Sequence, residues 1–465
     1  DAKSDINFLD YRAVQASKTR AELIRALAVL HLCSIDLFVS RALLWMRLGR
    51  RLLGQRCFDA LMRRSFFGQF VGGATEAELR QTAEAQRRQG LRPMIAVPME
   101  EPMRKLSDEE LTRLYEENTA KQSQDHDHTG PPQVRAVKLS AQLNSNRPKM
   151  QLKLTSLMPT SLLQKLATLH GDLAAADAAS EVLSQLLQLA VPDTPCSTKS
   201  RQQQQDLLRR LLPAASDAGR LSDQLLAAVV RTRRVFDAAK RHSVQILIDA
   251  EYSHINPGIS LFYLALATVY NAEDYCMVFN TYQCYLRDTI DTYNWHMDLL
   301  LSTSRRGVRA GAKIVRGAYL HWENGQGAEI NGGRSRVWSS LEETNCSYNR
   351  AVSIALDRIV TEGGNSSRHE VILATQNSNS ISLCLDGMRR RCISPESGAV
   401  SFGQLYGMAD YISVPLAQSG FQVYKSIPYG SVDETLLYLV RRANENKLIF
   451  DGVREEKSVL RAALR

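Results

Sequence analysis

The clearest chemical signal in the sequence is a pair of adjacent arginines, Arg441 and Arg442, close to its C-terminal end. If residues 433–446 form a helix, Tyr438 and Glu445 lie on the same face as the arginines, at positions i and i+7. Two guanidinium groups beside a phenol can bind a carboxylate through paired hydrogen bonds, and Glu445 can hold one of them in place. The same pattern is also typical of a solvated, salt-bridged helix, so this segment alone leaves both interpretations open.

A second set of polar side chains follows apolar runs that recur along the chain. Eight such runs begin with RPMIAV at residue 92, and each except the last is clearly followed by a helical pattern. We therefore predict an α/β fold of the TIM type, a (β/α)8 barrel, whose site lies at the carboxyl ends of the strands. A doubly wound sheet would need a glycine-rich dinucleotide turn, and the sequence contains no GxGxxG. The strand ends then bring together Glu100, Lys153, Asp249, Asn280, Gln283, Gly317, Tyr319, Thr375, Gln376, Gln404 and Ser426.

The fifth apolar run, GAKIVRGAY at residues 311–319, has a pattern that suits a flat ring. With strand alternation, Lys313, Val315, Gly317 and Tyr319 share one face. Gly317 would allow close approach of a planar ligand, and Lys313 could donate to an electron-rich ring edge. The alternative is a core strand that simply ends in a turn.

The second apolar run is ambiguous because two segments carry an embedded lysine. MQLKLTSL at residues 150–157 contains Lys153, and RAVKLSAQL at residues 135–143 contains Lys138. A lysine within an apolar run is costly unless it is paired, so either could be the lysine of the site. The sequence leaves this choice open.

Composition restricts the classes of protein that the chain can belong to. It has 465 residues, 44% of them apolar, a formal net charge of +9 and a pI near 9.1. The lysines and arginines are dispersed and not set among stacking aromatics, which argues against nucleic-acid binding. The eight cysteines form no CxxC or paired Cys/His spacing, so we predict reduced thiols and no metal site.

Three regions are predicted along the chain. Residues 1–70 form a helical arm, residues 71–465 form the barrel, and a helical insertion occupies about 168–240. The arginine-flanked helices of residues 20–68 could lie on an anionic membrane surface or pack against the barrel, and we favour packing. The sequence contains no signal peptide and no apolar run long enough to span a membrane, and any targeting segment is expected to lie outside it.

Five ordered motifs resemble the proline dehydrogenase family: IDAEY, FNTYQ, KIVRGAYL, FGQLYGM and YKSIPYG followed by YLVRRANEN. The resemblance extends from about residue 66 to 465. It implies an FAD-dependent barrel that oxidises a cyclic amino acid by hydride transfer to flavin N5 and passes electrons to a membrane quinone. It also implies a mitochondrial location on the matrix side of the inner membrane, with peripheral membrane contact. The substrate residues that it implies are Lys153, Asp249, Tyr319, Leu405, Tyr438, Arg441 and Arg442, with Glu100 as a carboxylate that holds an arginine. Ser426 and Glu445 complete the set of candidate substrate-site residues.

The resemblance also implies a set of flavin-binding residues. They are Asn280, Gln283, Lys313, Val315, Gly317, Thr344, Thr375, Gln376, Asn377 and Gln404. The family usually reads ATHN or ASHN at the sixth strand, whereas this chain reads ATQN, so Gln376 replaces a histidine. Glutamine can both donate and accept hydrogen bonds, so we expect FAD to bind still, with altered affinity or redox potential.

A second departure from the family concerns the substrate. Ser426 occupies the position where proline-specific members carry a tyrosine that closes over the substrate ring. With YKSIPYGS and with DAEY followed by NP, this resembles the vertebrate hydroxyproline dehydrogenase branch. We therefore predict trans-4-hydroxy-L-proline as the preferred substrate. A strict L-proline dehydrogenase and an inactive barrel that serves as a binding protein are the alternatives.

Overall fold

Eight parallel strands pair in chain order and close into a barrel. The computed structural model describes residues 6–96, 110, 115, 132–144, 146–171, 173–190, 198–211, 218–271, 274–302, 307–445 and 453–465. The strands are β1 Arg92–Ala96, β2 Lys149–Leu152, β3 Gln245–Ile248, β4 Val278–Gln283, β5 Ala310–Val315, β6 His369–Ala374, β7 Val400–Leu405 and β8 Gln422–Pro428. The closed parallel barrel confirms the predicted fold class.

Closure depends on β1, which pairs with β2 on one side and with β8 on the other. Met94 is in register with Lys149 and with Ser426. Inside the barrel, Met94 belongs to a separate buried cluster with Leu247, Phe279 and other apolar side chains. This packed interior is typical of such barrels and leaves the carboxyl ends of the strands as the open end.

The helices that alternate with these strands form the outer layer. Before β3 they are α6 Glu76–Arg88, α7 Pro132–Leu143, α8 Thr160–Ala167, α9 Leu173–Leu189, α10 Thr198–Leu211 and α11 Ala218–Arg241. After β3 they are α12 Asn256–Tyr270, α13 Thr289–Leu301, α14 Leu320–Trp322, α15 Ala328–Ile330, α16 Leu341–Thr361, α17 Ser378–Arg390, α18 Asp410–Gln418, α19 Val432–Glu445 and α20 Val453–Leu464. Helices α9, α10 and most of α11 occupy the region predicted as an insertion, between β2 and β3.

The structure resolves the ambiguity of the second strand. Residues 135–143 belong to α7, and Lys138 is exposed on it, so the alternative that placed the site lysine at Lys138 is wrong. The buried positions of this segment, including Gln133, Ala136, Val137 and Ser140, recur at helical spacing. Strand β2 ends at Leu152, and Lys153 starts a 3₁₀ turn at the open end of the barrel.

The fifth strand is shorter than its alternating pattern indicated. It ends at Val315, so Gly317 and Tyr319 do not continue the strand face predicted for them. Gly317 has φ +138°, and Tyr319 precedes α14 with φ −115° and ψ 32°. The turn at Gly317 redirects the chain, which is why strand periodicity fails there.

The N-terminal arm contains five helices: α1 Tyr11–Ser17, α2 Arg20–Cys33, α3 Asp36–Ser40, α4 Ala42–Arg64 and α5 Phe66–Phe70. Part of the arm packs on the barrel, since Phe58 and Phe67 form one buried cluster with Val432 and Leu436 of α19. Helix α4 is broken at Gly54, where φ is +71°. Among the described residues, no helix is both long enough and apolar enough to cross a bilayer.

Candidate active site

Helix α19, which carries Arg441 and Arg442 and is called the arginine helix below, meets the strand ends over the open end of the barrel. Arg442 Nη1 donates to the Tyr319 hydroxyl at 3.3 Å, and Lys153 Nζ donates to the same hydroxyl at 3.4 Å. The Arg442 guanidinium lies 5.6 Å from the Tyr319 ring and 5.4 Å from the Tyr438 ring, so both phenol rings orient it through cation–π contacts. Arg441 is half-buried on the same helix. The structure thus joins side chains that lie almost 300 positions apart in the sequence.

A buried ion pair connects the third and fifth strands beside this group. Lys313 Nζ lies 2.6 Å from Asp249 Oδ1, and the Lys313 side chain is only 8% exposed. Nearby, the Glu251 carboxylate accepts a hydrogen bond from Thr155 Oγ1 at 2.7 Å. Burial raises the pKa of Glu251, although Lys153 acts in the opposite direction. The site therefore combines paired charges with a carboxyl group that is held more readily in its neutral form.

Ser426 and Leu405 form the side of the site made by β7 and β8. Leu405 is 38% exposed, whereas Ser426 is buried. The Ser426 hydroxyl donates to Gln151 Oε1 at 2.5 Å. Gln151 was missed by the sequence analysis, yet it lies two residues before Lys153, and strand alternation could have placed both on one face.

Arg316 is a second residue that the sequence analysis missed. Its guanidinium donates to Thr375 Oγ1 at 2.6 Å, Asn345 Oδ1 at 2.7 Å and Ser380 Oγ at 2.8 Å, and it stacks 4.3 Å from the Tyr348 ring. Burial lowers the pKa of Arg316. Strand alternation would place Arg316 on the face opposite to Lys313 and Val315. The sequence did contain one indication that Arg316 belongs to the site. It precedes Gly317, and a turn at that glycine can change the direction in which the Arg316 side chain points.

The polar residues of β4 and β7, and Thr375 after β6, do not all face the open end of the barrel, because Asn280 and Gln404 bond to Ser260 of α12 and Ser413 of α18. Gln404 Nε2 donates to the Thr375 carbonyl at 3.2 Å, and Asn280 Nδ2 donates to Ser260 Oγ at 3.4 Å. Gln283 Nε2 donates to the Glu251 carbonyl at 3.1 Å. Among the described residues, the buried Gln283 Oε1 has no hydrogen-bond partner. A buried amide oxygen without a partner is costly, so it is available to a donor on a bound ligand.

The remaining predicted cofactor residues differ in their surroundings. Gln376 Nε2 lies 3.9 Å from the Met408 sulfur, and Asn377 accepts from the Ser380 N–H and caps α17. Thr344 lies in the first turn of α16, where its hydroxyl donates to the Ser340 carbonyl at 3.2 Å. Val315 is half-buried at the end of β5.

Gly317 is required by its immediate neighbour as well as by its backbone conformation. A Cβ at this position would clash with the Tyr285 ring. Its positive φ is also one that side chains other than glycine rarely adopt. Glycine here therefore fixes how the chain turns from β5 towards Tyr319.

Two predicted carboxylates cannot be placed. Glu100 lies outside the described residues. Glu445 is the last residue of α19, but its side chain also lies outside what the structure describes. Their suggested role of holding an arginine stays a prediction.

Comparison with known proteins identifies the family. Residues 79–455 match the family model described as Proline dehydrogenase. The chain is 35% identical to a hydroxyproline dehydrogenase of Xenopus laevis, over 96% of this chain and 87% of that protein. The chain belongs to the proline dehydrogenase family. This confirms the resemblance noted in its motifs and makes the chain an oxidoreductase by family.

Further members of the proline dehydrogenase family show the same likeness. The hydroxyproline dehydrogenase of Homo sapiens is 34% identical over 95% of this chain and 90% of its own length. Proline dehydrogenase 1, mitochondrial, of Drosophila melanogaster is 28% identical over 99% of this chain and 80% of its own length.

Solved structures support the fold of this family. Proline utilization A from Bdellovibrio bacteriovorus superimposes with a TM-score of 0.54 at 18% identity, over 94% of this chain. The Bradyrhizobium japonicum protein of the same name gives a TM-score of 0.53 at 17% identity. This chain spans 38% and 44% of those longer proteins, so the likeness concerns the barrel fold alone.

Proposed function

We propose that the protein oxidises trans-4-hydroxy-L-proline to the corresponding 1-pyrroline-5-carboxylate, with L-proline as a weaker substrate. The observation that carries this proposal is the hydrogen bond from Ser426 to Gln151 beside Leu405 and the arginine helix. The Ser426 O–H donates its hydrogen bond to Gln151, so the lone pairs of Ser426 Oγ are available to accept a hydrogen bond from a substrate hydroxyl. The names of the Xenopus laevis and Homo sapiens relatives support the same substrate class.

The residues present fit FAD as the cofactor. The unpartnered Gln283 Oε1 offers an acceptor for an N–H at the edge of a flavin ring, and Lys313 offers a donor. Thr375 adds a polar group after β6, whereas the amides of Asn280 and Gln404 bond to Ser260 and Ser413 of the outer helices. When bound, FAD would supply the two-electron acceptor for the hydride at its N5 position.

The chain's own residues mainly bind and orient the substrate. Arg441 and Arg442 would bind the carboxylate, and the Tyr438 ring fixes the Arg442 guanidinium. Tyr319 connects Arg442 to Lys153 and closes one side of the site to water. Hydride transfer depends on positioning and on exclusion of water, so this set of paired charges and aromatic walls is sufficient.

We further propose that a membrane quinone accepts the electrons and that the protein works on the matrix side of the mitochondrial inner membrane. The mitochondrial name of the Drosophila melanogaster relative supports the compartment. Exposed apolar residues of α4, among them Leu44, Leu48 and Leu52, support peripheral membrane contact.

Steady-state kinetics with both imino acids test the substrate proposal. We expect kcat/KM to be higher for hydroxyproline in the wild type, and Ser426→Tyr to shift the preference towards proline by filling the space beside Leu405. A site built to hydrogen-bond a hydroxyl discriminates more strongly than an apolar pocket does. Equal flavin content in both proteins is the control. A wild type that strongly prefers proline, or an unchanged ratio in Ser426→Tyr, would contradict the proposal.

A further inference from the structure

An apolar cavity of about 450 Å³ lies between the N-terminal arm and the open end of the barrel. This volume falls within the roughly 300–1,000 Å³ of small-molecule sites. Its walls come from α2 to α5 on one side, and from α19 and the ends of β7 and β8 on the other. The substrate proposal uses only the inner end of this space, at Ser426 and Arg442, and neither proposal accounts for the rest of its length.

The inner end of the cavity is continuous with the candidate active site. Leu405, Ser426, Tyr438 and Arg442 belong to the walls of both. A ligand in the cavity can therefore place one end against the hydroxyl of Ser426 and the guanidinium of Arg442. Its remaining length would contact apolar side chains of the arm.

The outer end of the cavity is bordered by the exposed part of the arm. Trp45, Leu53 and Leu61 line the cavity, and each is between 42% and 49% exposed. Residues 35–64 contain seven arginines against two aspartates, a formal excess of five positive charges. Exposed apolar side chains among arginines are the pattern of a helix that rests on an anionic bilayer.

We propose that this cavity binds the polyprenyl tail of the quinone acceptor, which enters from the bilayer with its ring towards Ser426 and Arg442. The inference rests on the proposed quinone-dependent function and deepens it by locating the acceptor. Each turnover removes two electrons and two protons from the substrate and converts the quinone to the quinol.

The polarity of the cavity favours a quinone over a phospholipid chain. A quinone has its polar carbonyl groups at the ring end, where Arg442 can donate, and its apolar tail then extends outwards to the arm. A phospholipid entering from the bilayer would instead place its terminal methyl group against the polar inner end. Because the inner end is shared with the substrate, the quinone ring and the imino acid exclude each other, so the kinetics should be ping-pong.

Trp45 provides a binding measurement that does not depend on turnover. Titration of the flavin-loaded full chain with decylubiquinone should quench the fluorescence of Trp45, and Trp45→Phe should lose that component of the quenching. Vesicles with brominated acyl chains, without quinone, are the comparison. Quenching by the brominated chains that decylubiquinone cannot displace would mean that lipid occupies the cavity, and would overturn the proposal.

Ala42→Phe fills the cavity, and Ala60→Phe is its matched control on the exposed surface of the same helix. We expect Ala42→Phe to raise the KM for decylubiquinone at least about tenfold, equivalent to the loss of about 1.4 kcal/mol of binding. Turnover of Ala42→Phe with a tailless benzoquinone should stay within about twofold of the wild type, because this acceptor has no tail to bind in the cavity. Ala60→Phe should match the wild type with both acceptors.

Anaerobic bleaching of the flavin by substrate separates this inference from the function on which it rests. If neither imino acid bleaches the wild type, the proposed function fails. If hydroxyproline bleaches the flavin of the wild type and of Ala42→Phe to the same extent, both proteins are folded and carry flavin. In that case, two results would overturn the proposed tail site. One is an equal KM for decylubiquinone in wild type and Ala42→Phe, and the other is an equal loss of turnover by Ala42→Phe with decylubiquinone and with the tailless benzoquinone.

Discussion

At the scale of single residues, the site is built from pairs in which one side chain sets the hydrogen bonding of another. Gln151 accepts a hydrogen bond from the Ser426 hydroxyl. The Tyr319 hydroxyl accepts hydrogen bonds from both Arg442 and Lys153. In each case the residue that we propose to face the substrate is already oriented by hydrogen bonds within the protein. This preorganisation reduces the cost of binding, because fewer rotatable groups must be fixed by the ligand.

Replacing Gln151 by leucine tests the first of these pairs. The Ser426 hydroxyl would lose its acceptor and could turn its proton towards the substrate, where it competes with the substrate's own hydroxyl proton. We expect kcat/KM for hydroxyproline to fall by about fivefold, equivalent to about 1 kcal/mol for one hydrogen bond. The value for proline should change less, because proline has no hydroxyl to bind. Equal losses for both substrates would show that Gln151 only supports the fold.

At the scale of secondary-structure elements, a buried charge cluster fastens both ends of the chain to β8 and α18. Asp410, in the first turn of α18, lies 2.6 Å from Lys18 of the arm and 2.7 Å from Lys425 of β8. Burial would raise the pKa of Asp410, but the two lysines outweigh it and hold that pKa well below its ordinary value. Glu456 of α20 accepts from the Ala409 N–H at 2.9 Å beside this cluster.

Glu456 makes the free energy of unfolding depend on pH. Burial raises the pKa of its carboxyl from 4.5 to about 7. The folded protein therefore binds more protons than the unfolded chain between these values, so stability falls as the pH rises from about 4.5 to 7. Glutamine keeps an oxygen for the Ala409 N–H but cannot ionise. We expect Glu456→Gln to equal the wild type near pH 4.5 and to exceed it at pH 7.5 by about 1–3 kcal/mol.

Thermal melts of both proteins across that pH range check this expectation. Other groups, such as the buried His369, also titrate, so the relevant quantity is the difference between wild type and variant at each pH. A difference in melting temperature that does not change with pH would mean that folding does not shift the pKa of Glu456.

At the scale of the whole molecule, the arm has two surfaces with different environments. One surface packs Phe58 and Phe67 against α19 and so covers the arginine helix. The other leaves Leu44, Leu48 and Leu52 exposed among Arg47, Arg51 and Arg56. Packing and membrane contact, which the sequence presented as alternatives, are therefore compatible in this structure.

Neutralising three of these arginines tests membrane contact. Each basic side chain near an anionic leaflet contributes about 1 kcal/mol, so Arg47→Gln, Arg51→Gln and Arg56→Gln together should weaken binding to anionic vesicles by about a hundredfold. Cosedimentation at low and high salt measures this, and turnover with a tailless quinone should not change. Arg88→Gln, Arg210→Gln and Arg390→Gln, on exposed positions elsewhere, form the matched control. Equal binding of the two triple variants would exclude the arm as the contact.

The sequence by itself determined the barrel and the helical face that carries the two arginines. Parallel strands are buried on both faces, so each appears as a short apolar run, and eight such runs separated by helical patterns indicate a (β/α)8 barrel. The spacing of Tyr438, Arg441 and Arg442 placed them on one helical face because helix periodicity is a local property. Both features depend only on residues that are close to one another in the sequence.

Only the tertiary structure decided the features that depend on where a strand ends or which distant side chain is opposite. Lys138 was excluded because its segment packs as a helix, and Arg316 acquired its partners because β5 stops at Val315. The pairing of Ser426 with Gln151 follows from closure of the barrel, which brings β8 and β2 to either side of β1. The cavity beneath the arm requires residues near 45 and near 440 to face each other, and no local pattern encodes a contact across that separation.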